Sequence, residues 1–198
     1  MQASFAPFDY HTSLFSLASP IPRPARVVGI HDGDTISCII RIGSEQSIQS
    51  GQSGQSGQQE NHPTFARFNV RLAGIDAPEM TSHNPVLKEA AINVRNRLIE
   101  LVTGKKCTFE TPGMAHTTRT DICKYLCQDV YMVSLICKDM DKYGRLLAEV
   151  YVCHENDEGI LRNINAVLMN VGLVNTYDGG HKSEFSLLET KSKSQQPN

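Results

Sequence analysis

Three short stretches put charged side chains where β-type segments end. Asp32-Gly33-Asp34-Thr35 forms a turn, Arg71-Leu72-Ala73-Gly74-Ile75-Asp76-Ala77-Pro78-Glu79 leaves an alternating segment, and Asp141-Lys142-Tyr143-Gly144-Arg145 separates two apolar runs. Each alone reads as structure, because Asp-Gly and Asp-x-Pro are ordinary turn formers and Arg145 fits a solvated edge position. Together they form a chemical kit. Asp34, Asp76 and a backbone carbonyl are hard oxygen donors of the kind Ca²⁺ collects in sets of about 6–8, with places left for water and a phosphate oxygen. The planar forks of Arg71 and Arg145 suit a phosphate whose negative charge grows in the transition state. Glu79 is the candidate to position or deprotonate an attacking water. A phosphodiester fits this set.

Positioning these groups falls to the segments around them. The runs Val27-Val28-Gly29-Ile30 and Ile36-Ser37-Cys38-Ile39-Ile40-Arg41-Ile42 flank the first turn and predict a strand pair. Alternation in Phe68-Asn69-Val70-Arg71-Leu72 predicts a strand with Phe68, Val70 and Leu72 on one face and Asn69 and Arg71 on the other. Leu87, Ala90, Ala91, Val94, Leu98, Leu101 and Val102 fall on one side of a helix, with Pro85 near its start and Gly104 just past its end. Residues 106–110 look like a short strand, and 130–138 and 146–152 like a strand pair joined by a charged turn. Residues 114–128 give no assignment. Ile160, Ile164, Val167, Leu168 and Val171 predict a second helix ending at Gly172, and residues 183–193 a third. Strands with interspersed helices and no βαβ rhythm indicate α+β, built on a small antiparallel sheet or barrel.

The 198 residues suffice for one domain with tails. We expect a flexible arm over 1–24, a domain over 25–185, and a helix end and tail over 186–198. The Gly/Gln/Ser repeat at 50–59 lacks apolar side chains and predicts a mobile loop across 44–63, and residues 111–130 read as an insertion. Nineteen Lys+Arg against 21 Asp+Glu give a formal charge of -2, so any nucleic-acid binding rests on a local site and favours single strands or flexible duplex. No apolar run reaches the roughly 20 residues of a membrane-crossing helix. We expect no membrane partner and a monomer. Six cysteines suit reduced thiols rather than a disulfide scaffold. Cys123 and Cys127 have the spacing of a metal half-site without a second pair, which leaves zinc a distant alternative. No Lys or Arg precedes Arg23, and Asp9 and His11 interrupt the apolar stretch, a poor match to a secretory signal. This favours a cytoplasmic protein and leaves export open.

The three motifs, in this order and with helices after the second and third, closely resemble the staphylococcal nuclease-like (thermonuclease) family over about residues 25–182. The resemblance implies an OB-fold barrel of five strands with three helices, and calcium-dependent cleavage of DNA and/or RNA that leaves 3′-phosphate ends. It implies Asp34, Asp76 and the Ala77 carbonyl as calcium ligands, Arg71 and Arg145 as phosphate-binding arginines, and Glu79 as general base. Lys142 and Tyr143 match positions that contact a terminal phosphate. Tyr177 lies near a base-stacking tyrosine of the family, in a register the sequence does not fix, and reads equally as a structural tyrosine. Asp32 reads as structural. The rival from another class is a catalytically inactive nucleic-acid or protein-binding module on the same barrel. Such a module could dispense with the acidic ligands and arginines that this chain keeps.

Overall fold

Alternation of buried and exposed residues builds a barrel from the first hairpin outward. Strands β1 (Arg23–Ile30) and β2 (Thr35–Arg41) pair antiparallel, with Ala25 opposite Ile40 and Val27 opposite Cys38. Strand β3 (Phe65–Leu72) pairs with β2, setting Ile36 opposite Val70 and Thr35 opposite Arg71, then turns into the two-residue β4 (Ile75–Asp76). On the other edge of β1 lies β5 (Tyr131–Met140), followed by its antiparallel neighbour β6 (Leu146–Val152). Parallel pairing of β6 with β3, from Val70 opposite Leu146 to Leu72 opposite Ala148, closes a five-stranded mixed barrel. With the three α-helices among the described residues it is an α+β structure of OB-fold type. Val27, Ile36, Cys38, Val70, Leu72, Leu135, Ala148 and Val150 fill the interior without solvent exposure. Each large aliphatic among them contributes about 1.5–3 kcal/mol by leaving water. This computed structural model describes residues 16–42, 64–107, 109 and 117–179. The loop expected over 44–63, the helix at 183–193 and the tail lie outside the described residues.

Helix α1 (Pro85–Thr103) starts where the Asn84 side chain accepts a 3.0 Å bond from the Val86 N–H, and it ends at Gly104. It buries Ala91, Val94, Leu98, Leu101 and Val102 of the face read from periodicity, while Leu87 and Ala90 at its start are half-buried. Helix α2 (Arg119–Cys127) occupies a stretch where periodicity makes no assignment. Thr118 and Asp121 cap it reciprocally, and Ile122 and Leu126 pack inward. After the bridge strand β7 (Arg162–Asn163), α3 (Ile164–Asn170) begins on the Asn163 cap, later than the apolar spacing suggests, and leaves Ile160 68% exposed. The final pair is β8 (Asn175–Thr176) with β4.

Two further expectations change. Residues 106, 107 and 109 are not in a strand, so the barrel strand preceding Arg145 is β5. Cys107 and Phe109 pack against the core from a loop instead, Phe109 standing edge-on to Tyr125 of α2 at 5.0 Å. At the other end, Leu17 is buried and the Ser19 N–H donates to the Cys137 carbonyl at 2.9 Å, so the chain already lies on the barrel before β1 begins. All six cysteines are unbridged, and burial pushes the Cys38 thiol well above its ordinary pKa. Among the described residues no helix is long and apolar enough to cross a membrane.

Candidate active site

Strand register brings the first two motifs together. Thr35 opens β2 directly opposite Arg71 on β3, so Asp34 and the Arg71 guanidinium share one end of the barrel. Alternation sets Arg71 on the strand face away from Val70 and Leu72, yet only 6% of it is exposed. Its Nη1 forms an ion pair with Asp34 Oδ2, while Nη2 donates to Asp76 Oδ1 at 2.9 Å and to the Ile75 carbonyl at 3.1 Å. Both carboxylates are as buried as the arginine between them. Asp34 is fixed further by the Ala77 N–H at 2.9 Å and the Thr35 hydroxyl at 3.0 Å, and its own N–H donates to Asp32 Oδ1 at 3.1 Å. Asp32 thus shapes the turn, as the sequence suggests. Gly33 is required by close approach, because a Cβ there would lie 2.4 Å from Val94 Cγ1 of α1 and 2.8 Å from Ala77 Cβ.

The third motif holds its arginine differently. Asp141 Oδ1 accepts the N–H groups of Tyr143 and Arg145, both at 2.9 Å, and Gly144 takes the left-handed backbone (φ 76°) that the turn between β5 and β6 needs. The same aspartate then takes the Arg145 Nε through Oδ2 at 2.7 Å. Burial raises the Asp141 carboxyl, but the backbone N–H groups and the Arg145 guanidinium outweigh it and leave the pKa below the ordinary carboxylate value. Arg145 Nη1 reaches the Thr35 hydroxyl at 3.4 Å, and that hydroxyl donates onward to Asp34. One threonine therefore links the two arginine systems. Thr35 and Asp141 carry this architecture although sequence reasoning assigns neither a role; the Asp-x-x-Gly-Arg spacing, an Asp able to cap a turn and reach back to an arginine, is the signal for Asp141.

Between these systems lies a cavity of about 560 Å³ lined by Asp34, Arg71, Ala77, Glu79, Lys142, Tyr143, Arg145 and Tyr177, among others. Asp76 stands behind Arg71 and is not in the lining. Glu79 is exposed at the rim, just beyond the buried Pro78. Tyr143 is 72% exposed, with Lys142 Nζ and Arg145 Cζ at 5.1 and 5.6 Å from its ring centroid. Pairing of β4 with β8 carries Tyr177 in, where its N–H donates to the Gly74 carbonyl at 3.0 Å and its ring lies 5.9 Å from Arg71 Cζ. Every predicted site residue except Asp76 therefore faces one space.

The donor set fits a hard cation. Asp34 and Asp76 set two buried carboxylates on one guanidinium, that of Arg71. Thr35, Ala77 and Arg71 occupy three of the roughly four lone-pair directions of the Asp34 carboxylate, leaving one on Oδ1. Among the described residues no group of three or more His, Cys, Asp or Glu side chains is placed to hold a metal ion. A cation bound by Asp34 and Asp76 would therefore need carbonyl and water oxygens as well, a mixed set that Ca²⁺ commonly accepts. Cys123 and Cys127 belong to no such group.

A family model described as staphylococcal nuclease homologue matches residues 69–198, about two thirds of the chain. Its span begins two residues before Arg71, so Asp34 reaches the site through β2–β3 pairing outside the matched segment. No curated protein matches the chain.

Proposed function

We propose that this chain, which belongs to the staphylococcal nuclease homologue family, is a calcium-dependent nuclease that hydrolyses phosphodiester bonds of DNA and/or RNA and leaves 3′-phosphate ends. The observation that carries the reading is the convergence of Asp34, Arg71, Glu79 and Arg145 on one cavity from three motifs spread over more than a hundred residues. Asp34, Asp76 and the Ala77 carbonyl would hold the cation, whose chemistry is to polarise a phosphoryl oxygen.

The chain's own groups then divide the work. Arg71 from β3 and Arg145 from the β5–β6 turn present N–H forks to the nonbridging oxygens, where charge accumulates during in-line attack. Glu79 stands at the exposed rim, placed to accept the proton of the entering water. The phosphorus–oxygen bond to the 5′ oxygen of the next nucleotide breaks as the water oxygen bonds; that oxygen takes a proton from solvent and leaves as a 5′-hydroxyl, and the phosphate stays on the 3′ side. Lys142 and Tyr143, on the same turn as Arg145, contact the phosphate of the retained strand, and Tyr177 offers a ring to a base.

Digestion of plasmid and RNA with Ca²⁺, with Mg²⁺ and with chelator tests this reading. The expected result is cleavage with Ca²⁺ that stops on chelation. Binding without cleavage under every condition would instead identify an inactive module, and undiminished cleavage in chelator would remove the metal role.

A further inference from the structure

The outer wall of the barrel carries a second cluster of charge that the cavity does not use. Register across β2 and β3 places Ser37 beside Asn69 and Ile39 beside Arg67, with Arg67 and Asn69 exposed on the outward face. His31, in the turn that leads to Asp34, lies against the same face: its Nε2 is 2.8 Å from Ser37 Oγ, and that hydroxyl donates to Asn69 Oδ1 at 2.8 Å. From the other side comes Arg119, whose Nη2 is 2.7 Å from His31 Nε2. Helix α2 brings Arg119 there by lying close over β1, where a Cβ on Gly29 would come within 3.2 Å of Cys123 Sγ.

Charge and position give this cluster a direction. Burial, then the positive charge of Arg119 and more weakly Arg67, hold the His31 imidazole below its ordinary pKa, against the opposing pull of Asp32. Two guanidiniums thus act on one imidazole, Arg119 by direct contact, and among the described residues neither has a carboxylate partner. The arrangement would be relieved by an anion. Asp32, which acts on the ring, also lines the cavity, and the His31 N–H donates to the Thr35 carbonyl at 2.9 Å across the Asp34 turn. The cluster and the cavity therefore lie on two sides of one turn. Phe65 shares the outward face two residues before Arg67 and is 58% exposed, an aromatic surface next to the charge. Cations interleaved with an exposed ring are what a single strand binds without regard to sequence.

We propose that His31, Arg67 and Arg119 form a second phosphate-binding station that grips the backbone of a single-stranded nucleic acid while a neighbouring linkage occupies the cavity. This rests on the nuclease reading for the identity of the polymer. Helix α2 then has a role in binding, because it delivers Arg119 to the substrate's path. A chain with net charge -2 would thereby concentrate its attraction for phosphate along one line of the surface.

The test is fluorescence anisotropy of the full chain with a labelled DNA single strand of about 12 nucleotides, in chelator, over a range of salt. Each phosphate contact on a single strand contributes about 0.7 to the slope of log affinity against log salt, which is about fivefold in affinity at 0.1 M salt. The Arg67→Gln/Arg119→Gln double variant should bind about 25-fold more weakly there, with a slope shallower by about 1.4. The double Arg→Lys variant should restore the slope, which a purely structural role would not do. Arg162→Gln, the same charge change on β7, should match the wild type. If the double variant does not fold, Arg67→Gln alone, on an exposed strand position, should lower the slope by about 0.7. An unchanged slope and affinity in the folded double variant would overturn the proposal, and so would poly-glutamate competing as well as DNA. Failure of the nuclease reading is separate: it appears as wild-type protein that binds the strand with the expected slope yet does not cut it when Ca²⁺ is restored.

Discussion

Arg71 and Arg145 face the same cavity, yet the protein holds them by opposite means. Arg71 is buried between two buried carboxylates, on rigid paired strands. Arg145 belongs to a hairpin turn, its side chain 30% exposed, and its ion pair with Asp141 comes from the same five-residue stretch. One arginine is part of what folds the site, and the other is held by its own turn, from which the proposed function has it meet a phosphate. A group locked by long-range pairs is already in position but structurally indispensable. A group on a local turn can adjust, and it can be lost without loss of the fold.

Replacing each arginine would separate the two cases. Arg71→Ala leaves Asp34 and Asp76 buried without their shared counter-charge, and we expect a loss of about 3–5 kcal/mol in urea unfolding together with loss of cleavage. Arg145→Ala should lower turnover by about 10²–10³ while stability changes by less than about 1 kcal/mol. Equal destabilisation by both would erase the distinction. A smaller effect is expected for Asp141→Asn, read as melting temperature against pH. Because the folded state depresses the Asp141 pKa, its contribution is present above about pH 4 and fades as pH falls through the lower folded value. The difference between wild type and variant should therefore be largest near neutrality and close in strong acid; a difference that grew on acidification would contradict the assigned hold on Arg145. Smallest is Tyr143→Ala. Its exposed contacts with Lys142 and Arg145 should be worth about 0.5–1 kcal/mol, seen as a two- to fivefold rise in KM with little change in kcat.

The same division governs what can be read from the sequence. Local devices are legible: Asp32-Gly33-Asp34 and Asp141 to Arg145 use turn-forming residues whose spacing is itself the signal, and α1 displays its apolar stripe over 19 residues. Helix α2 is not, because nine residues with inward Ile122 and Leu126 offer too few periods; its Thr118–Asp121 capping box is the available clue. Cys107 and Phe109 alternate as a strand would, but they pack from a loop against the core and Tyr125. Ile160 fits the helical spacing and is overruled by the Asn163 cap. The burial of Arg71 is hidden too, because period two assigns a face and says nothing of what covers it. Least visible is the meeting of Arg119 with His31, 88 residues apart, which depends on where an unassigned helix comes to rest.

Cleavage by Glu79→Gln tests the central claim most directly, because Glu79 is exposed at the rim and glutamine keeps its size while removing the proton acceptor. Single-turnover cleavage of a labelled DNA strand with Ca²⁺, with the product ends identified, should fall by about 10²–10⁴ relative to wild type in the folded variant, and the wild-type ends should be 3′-phosphates. A folded Glu79→Gln protein that cuts at the wild-type rate would contradict the account.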